Sequence, residues 1–212
     1  SSLALPGSEA EIVRLPIQAA RVAVDALVPG GRVVGMTKGQ FSLIDLIKAL
    51  LEKTGPAHLT ISTWTAGIRD VENVGFLTER GDALSLRLLV DRSFPGRQPK
   101  YCAKVLEVFG PEAIRCTRTH AKFVLLDNDA WSVVVRSSMN LNRNPRFEQF
   151  DIDDDPAIFR LFEGLIEEME TSAPEGLDGD PSQVAAAFVS ALGGGGAERC
   201  DPRDELRSLS PF

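Results

Sequence analysis

The chain has 212 residues, 43% of them hydrophobic and 25% charged, with a mean hydropathy near zero. A chain of this length buries a core without disulfides or metals. Its composition excludes an intrinsically disordered protein, and no apolar run approaches the ~20 residues that span a bilayer. The formal net charge of −7 argues against a protein that holds nucleic acid by bulk electrostatics alone.

Taken in chain order, the opening "SSLALPGSEAEIVRL" lacks a basic segment followed by a long apolar core, so no secretory signal is read there. After the turn signal Pro29-Gly30-Gly31, the β-branched run "RVVGMT" (32–37) reads as a strand. "FSLIDLIKALLEKTG" places Phe41, Leu43, Ile44, Ile47, Leu50 and Leu51 at helical spacing and closes on Gly55-Pro56. "HLTISTW" (58–64) is the next strand and "IRDVENVGFLTERG" the next helix. "LSLRLLVD" (84–91), "PKYCAKVLEVFG" (99–110) and "AIRCT" (113–117) then read as strand, helix and strand. This alternation predicts an α/β fold, a mixed, mostly parallel sheet flanked by helices on both faces.

"THAKFVLLD" and "AWSVVVRSS" are predicted to be adjacent strands joined by Asp127-Asn128-Asp129. "DPAIFRLFEGLIEEME" (155–170) opens on Asp-Pro and carries Ile158, Leu161, Phe162, Leu165 and Ile166 on one helical face. The implied organisation is an N-terminal segment (1–30), one α/β domain (31–171), a linker (172–182), and a short helix with a flexible tail (183–212).

Cys102, Cys116 and Cys200 are odd in number and far apart, which fits neither a disulfide framework nor a zinc site and suggests a reducing cytoplasm. Charge is unevenly spread. Residues 97–146 carry nine Lys/Arg against four acids, whereas 148–180 carry twelve acids against Arg160 alone. Either an anionic substrate meets a local positive field, or these are ordinary solvated surface charges. "GGRVVGMTKG" is not a P-loop, because Met36-Thr37 separate the glycine from Lys38. "DIDDDP" is not a calcium loop, because Pro156 stands where glycine is needed.

Chemistry concentrates in "THAKFVLLDNDAWSVVVRSSMN" (119–140). Residues two apart on a strand share a face, so His120 and Lys122 project together. On spacing alone this pair fits a solvated sheet edge. The following strand changes the balance, because it delivers Ser137, Ser138 and Asn140 beside the pair. Imidazole, ammonium, hydroxyl and amide together suit a phosphate ester.

These residues resemble the phospholipase D superfamily. His120, Lys122 and Asp127 match its HxKxxxxD motif, "SSMN" is similar to its small-Ser-x-Asn element, and "RFEQFD" resembles its acidic segment through Glu148. The resemblance implies a metal-independent phosphodiesterase that needs no cofactor, similar to the single-motif bacterial nucleases of the family. His120 would attack phosphorus and Glu148 would orient and stabilise its ring. Lys122, Ser138 and Asn140 would bind the non-bridging oxygens, and Asp127 would pin the hairpin. Two histidines are needed, and His58 has no lysine two residues on, so the resemblance implies a homodimer that shares its site. Nucleic acid is the expected substrate. The alternatives are a DNA-binding module without turnover and a lipid phosphodiesterase, the latter disfavoured by the lack of a membrane-binding surface. Trp64 either stacks on a base or sugar or fills the core as an ordinary tryptophan. Ser137 stands where the family carries glycine, and Arg136 before it is a further candidate phosphate contact.

Overall fold

A computed structural model describes residues 2–6, 20–142 and 146–171. The expected linker at 172–182 and the expected tail helix lie outside these residues. The elements run β1 (Ser2–Pro6), α1 (Ala20–Asp25), β2 (Gly31–Lys38), α2 (Leu43–Thr54), β3 (Ala57–Thr63), α3 (Ile68–Glu79) and β4 (Ala83–Asp91). They continue with α4 (Phe94–Arg97), α5 (Pro99–Phe109), β5 (Ile114–Thr117), β6 (Phe123–Asp127), β7 (Ser132–Ser137), β8 (Phe147–Asp154) and α6 (Pro156–Thr171).

Local chemistry accounts for the boundaries. Ser42 and Asp45 form a capping box at the start of α2, the Asp45 carboxylate accepting the Ser42 N–H at 2.9 Å. The helix stops at Gly55, whose φ of 81° suits glycine alone. Between β6 and β7 the turn is made by Asn128. Its Oδ1 accepts the amides of Ala130 and Trp131 at 3.0 and 3.1 Å, and its Nδ2 donates to the carbonyls of Thr54 and Pro56.

All eight strands form one sheet in the order β1-β2-β8-β7-β6-β3-β4-β5. Parallel pairing is confined to β3 with β4 and β4 with β5, and every other pairing is antiparallel. The mostly parallel sheet expected from the sequence is therefore corrected to a mostly antiparallel one. The reason is that βα alternation fixes strand direction but not adjacency. β2 and β3 do run the same way across α2, but β8, β7 and β6 are inserted between them, each antiparallel to its neighbours.

Both faces carry helices. Val124, Leu126, Val133 and Val135 pack into the core that includes α1, α2, α3 and α5. Their neighbours Phe123, Leu125 and Val134 pack with Phe159 and Ile166 of α6. The period of two along β6 thus divides one strand between two cores, so Phe123–Leu126 are all buried.

Where α3 crosses α5, a Cβ added at Gly75 would lie 2.4 Å from Cγ1 of Val108. Glycine in a helix interior ordinarily costs about 1 kcal/mol relative to alanine. Here Gly75→Ala is nonetheless expected to lower unfolding free energy by about 1–3 kcal/mol through overpacking against the stiff valine. Adding Val108→Ala should recover most of that loss in urea denaturation. A more stable single variant would refute the close-packing account.

Candidate active site

Strand direction decides which residues meet. β2, β7, β3, β4 and β5 end at the same edge of the sheet at which β6 and β8 begin. That edge brings together Lys38, the Ser137-Ser138 bend, Trp64, the segment before β6, and Glu148. α2 and α3 begin at this end as well, because each follows a strand that ends there, and α5 opens beside them at Gln98, whose Oε1 accepts the Thr65 hydroxyl just past β3. Their amino termini favour negative charge.

The strand expected from Thr119 begins at Phe123 instead, and residues 119–122 are held by side-chain hydrogen bonds. Buried Ser62 of β3 donates to the Ala121 carbonyl at 2.9 Å, and Thr119 Oγ1 accepts the Ala121 N–H. From the other side the Ser137 N–H donates to the Lys122 carbonyl at 3.1 Å. This presents an exposed His120 and a half-buried Lys122.

The Lys122 Nζ donates to the His120 carbonyl at 2.8 Å and lies 3.1 Å from His120 Nδ1 and 3.3 Å from Nε2. Almost equally far from the two ring nitrogens, the ammonium rests against the ring and lies on the lone-pair axis of neither. Burial holds the Lys122 ammonium below the usual lysine pKa, and the nearby Glu148 carboxylate opposes that shift. The Ser138 hydroxyl donates to Glu148 Oε2 and accepts the Gln149 N–H at 3.0 Å. Asn140 accepts the Trp64 N–H through Oδ1 at 3.3 Å, which ties β7's end to β3's.

Trp64 is half-buried at the rim and meets the His120 ring edge to face, with centroids 5.2 Å apart. Its other contact was not visible in the sequence. The Arg97 guanidinium stacks 3.8 Å from the indole centroid and donates to the Trp64 carbonyl at 3.0 Å. These residues are 33 positions apart, and no local pattern links them.

Three candidates lie differently. Asp127 is at the far end of β6, roughly 17 Å along the strand from Lys122 at ~3.4 Å per residue, and is registered opposite His58 and Ser132. Arg136 pairs with Asp153 and lies 3.9 Å from Asp151. Ser137 holds the bend, donating to the Gln149 carbonyl at 2.8 Å and accepting the Met139 N–H at 3.0 Å. Among the described residues, no group of three or more His, Cys, Asp or Glu side chains is placed to hold a metal ion. Among the same residues, no helix is long and apolar enough to cross a membrane.

No protein-family model matches the chain, and no curated protein matches it by sequence. Solved structures do match. Nuc from Salmonella typhimurium, a phospholipase D family member, superposes with a TM-score of 0.50 at 14% identity, over 68% of this chain and 95% of its own. The likeness is one of fold, shared with that phospholipase D family member. NucT from Helicobacter pylori also matches, with a TM-score of 0.47 and 13% identity over 67% of this chain and 98% of its own. Phosphatidylserine synthase from Haemophilus influenzae Rd KW20 gives 0.45 and 15% over 79% and 47%. Of the residues that carry the sequence resemblance, those other than Asp127 stand at one sheet edge.

Proposed function

We propose that this protein is a metal-independent phosphodiesterase acting on nucleic acid through a phosphohistidine. The observation that carries the reading is the arrival of His120, Lys122, Ser138, Asn140 and Glu148 at one edge of the sheet from three separate stretches of chain. A ring nitrogen of His120 attacks phosphorus, forming a P–N bond as the P–O bond to the leaving alkoxide breaks. Lys122, Ser138 and Asn140 hold the non-bridging oxygens as charge builds on them, and Glu148 stabilises the charged ring. The leaving oxygen takes its proton from His120 of a second protomer. Water, giving a proton to that now neutral second histidine, then attacks phosphorus, the P–N bond breaks, and both imidazoles are regenerated.

Support for an anionic substrate comes from the three helix amino termini at this edge and from Arg97, stacked on the tryptophan that touches His120. Nucleic acid is favoured over lipid because the rim offers an aromatic face and a guanidinium for base stacking. Cleavage of labelled single- and double-stranded DNA in EDTA tests the reading. Binding without cleavage would leave a DNA-binding module. Sedimentation tests the shared site, because a fully active monomer at micromolar concentration rules it out.

The lowered Lys122 pKa sets a further expectation. The ammonium is the form that binds phosphate oxygens, so kcat/KM should fall on the alkaline side earlier than an ordinary lysine would cause. Lys122→Arg, which stays charged throughout, should lower the plateau but move that limb to higher pH. An unmoved limb would assign it to another group.

A further inference from the structure

We propose that Phe147, with the Lys38 ammonium over its ring, is a base-stacking platform on the flank of the site away from Trp64, and that the strand it holds is unpaired. The proposal rests on the nucleic-acid reading above and adds to it the strandedness of the substrate.

Lys38 closes β2 and Phe147 opens β8. The two are registered opposite each other, and the ammonium lies 5.3 Å from the ring centroid. Phe147 is 65% exposed, more than any other large hydrophobic side chain among the described residues. Across the sheet edge, β8 with Phe147 is followed by β7 with Ser138 past its end, then β6 with His120 and Lys122 before it, then β3 with Trp64 after it. Neighbouring strands lie ~4.8 Å apart, which sets the two aromatic residues roughly 14 Å apart along the edge, one on each side of the site. Each ring has its own cation, Lys38 on Phe147 and Arg97 on Trp64.

Charge selects the occupant. The Lys38 ammonium makes no ion pair among the described residues, and exposed Arg146 directly precedes Phe147. A protein face closing over this ring would desolvate that ammonium, whereas a polynucleotide brings phosphate to it and a base to the ring. Geometry selects strandedness. Phe147 turns to the face of the sheet opposite its neighbour Glu148, which shares the side of Phe150 and Ile152. A chain leaving the site for this ring therefore turns over the end of β8. A duplex, with a persistence length of about 150 bp, does not bend so tightly, and its bases are already stacked. An unpaired strand makes the turn and has free faces to offer.

The test is fluorescence anisotropy of the full chain carrying His120→Ala, in EDTA, with a labelled oligothymidylate of about eight nucleotides and with the matching duplex. The single strand should bind at least about tenfold more tightly than the duplex. Adding Phe147→Ala or Phe147→Leu should weaken single-strand binding about tenfold, and Phe147→Trp should keep it. Lys38→Gln should reduce the slope of log affinity against log salt by about 0.7, the loss of one phosphate contact. Circular dichroism establishes that the variants fold, and sedimentation that they keep the native assembly state. Affinity unchanged in Phe147→Ala overturns the platform, as does native-like affinity in Phe147→Leu. A loss that tracks dissociation of subunits overturns it too, assigning the ring to a contact between copies. Equal affinity for strand and duplex, or none for either, overturns the unpaired substrate. Cleavage by the native chain is scored separately. Platform-dependent binding without cleavage keeps the platform and rejects the phosphodiesterase, whereas cleavage with binding indifferent to Phe147 rejects the platform alone.

Discussion

His120→Ala is expected to abolish EDTA-resistant cleavage, lowering kcat/KM by at least about 10⁴-fold, the scale on which removing a nucleophile leaves only binding and charge stabilisation. The loss should be chemical, not structural. His120 is exposed, and the segment carrying it is fixed by Ser62, Thr119 and the Ser137 amide, none of which uses the imidazole. Unfolding free energy should therefore move by no more than about 0.5 kcal/mol, as at other exposed positions. Quenching a single turnover of phosphorus-labelled substrate in alkali should trap label on native protein and none on the variant, because a phosphoramidate survives alkali and hydrolyses in acid. Native-like cleavage by His120→Ala would end the phosphohistidine scheme. Ser138→Ala should cost far less. Its hydroxyl is one of several groups offered to the non-bridging oxygens.

What the sequence displayed was whatever depends on near neighbours. α2 showed its apolar face at helical spacing, and the pairing of His120 with Lys122 follows from two residues of separation. Long-range partners were invisible. No strand is read at β8 because "FEQFDIDD" places Asp151 and Asp153 on it, where they are held by Arg32 and Arg136. The sheet order failed for the same reason, since nothing local says that β8 inserts beside β2. Arg97 reached the site by stacking across 33 residues. Arg136, expected at a phosphate on the strength of its neighbour Ser137, is engaged by carboxylates of β8.

Those carboxylates carry the second large expectation. Asp153 is 2% exposed and is held by the Arg32 Nε and an Arg136 terminal nitrogen, whereas both arginine side chains are 39% exposed. The desolvated partner is therefore the acid, and the effect of a substitution depends on which charge is stranded. Arg136→Met leaves Asp153 with Arg32 alone and should lower unfolding free energy by about 3 kcal/mol, the low end for breaking a buried pair. Adding Asp153→Leu should restore part of that loss, because the charge then left over is Arg32, which reaches water and rehydrates. The double variant more stable than the single is the unusual result to look for in urea titrations. Arg136 Nε is itself buried without a hydrogen-bond partner among the described residues, so the double variant also removes one unmatched donor. If the arginine acts in the sheet, kcat/KM of the folded fraction of Arg136→Met stays near native. A fall in kcat/KM with unchanged stability would return Arg136 to the phosphate.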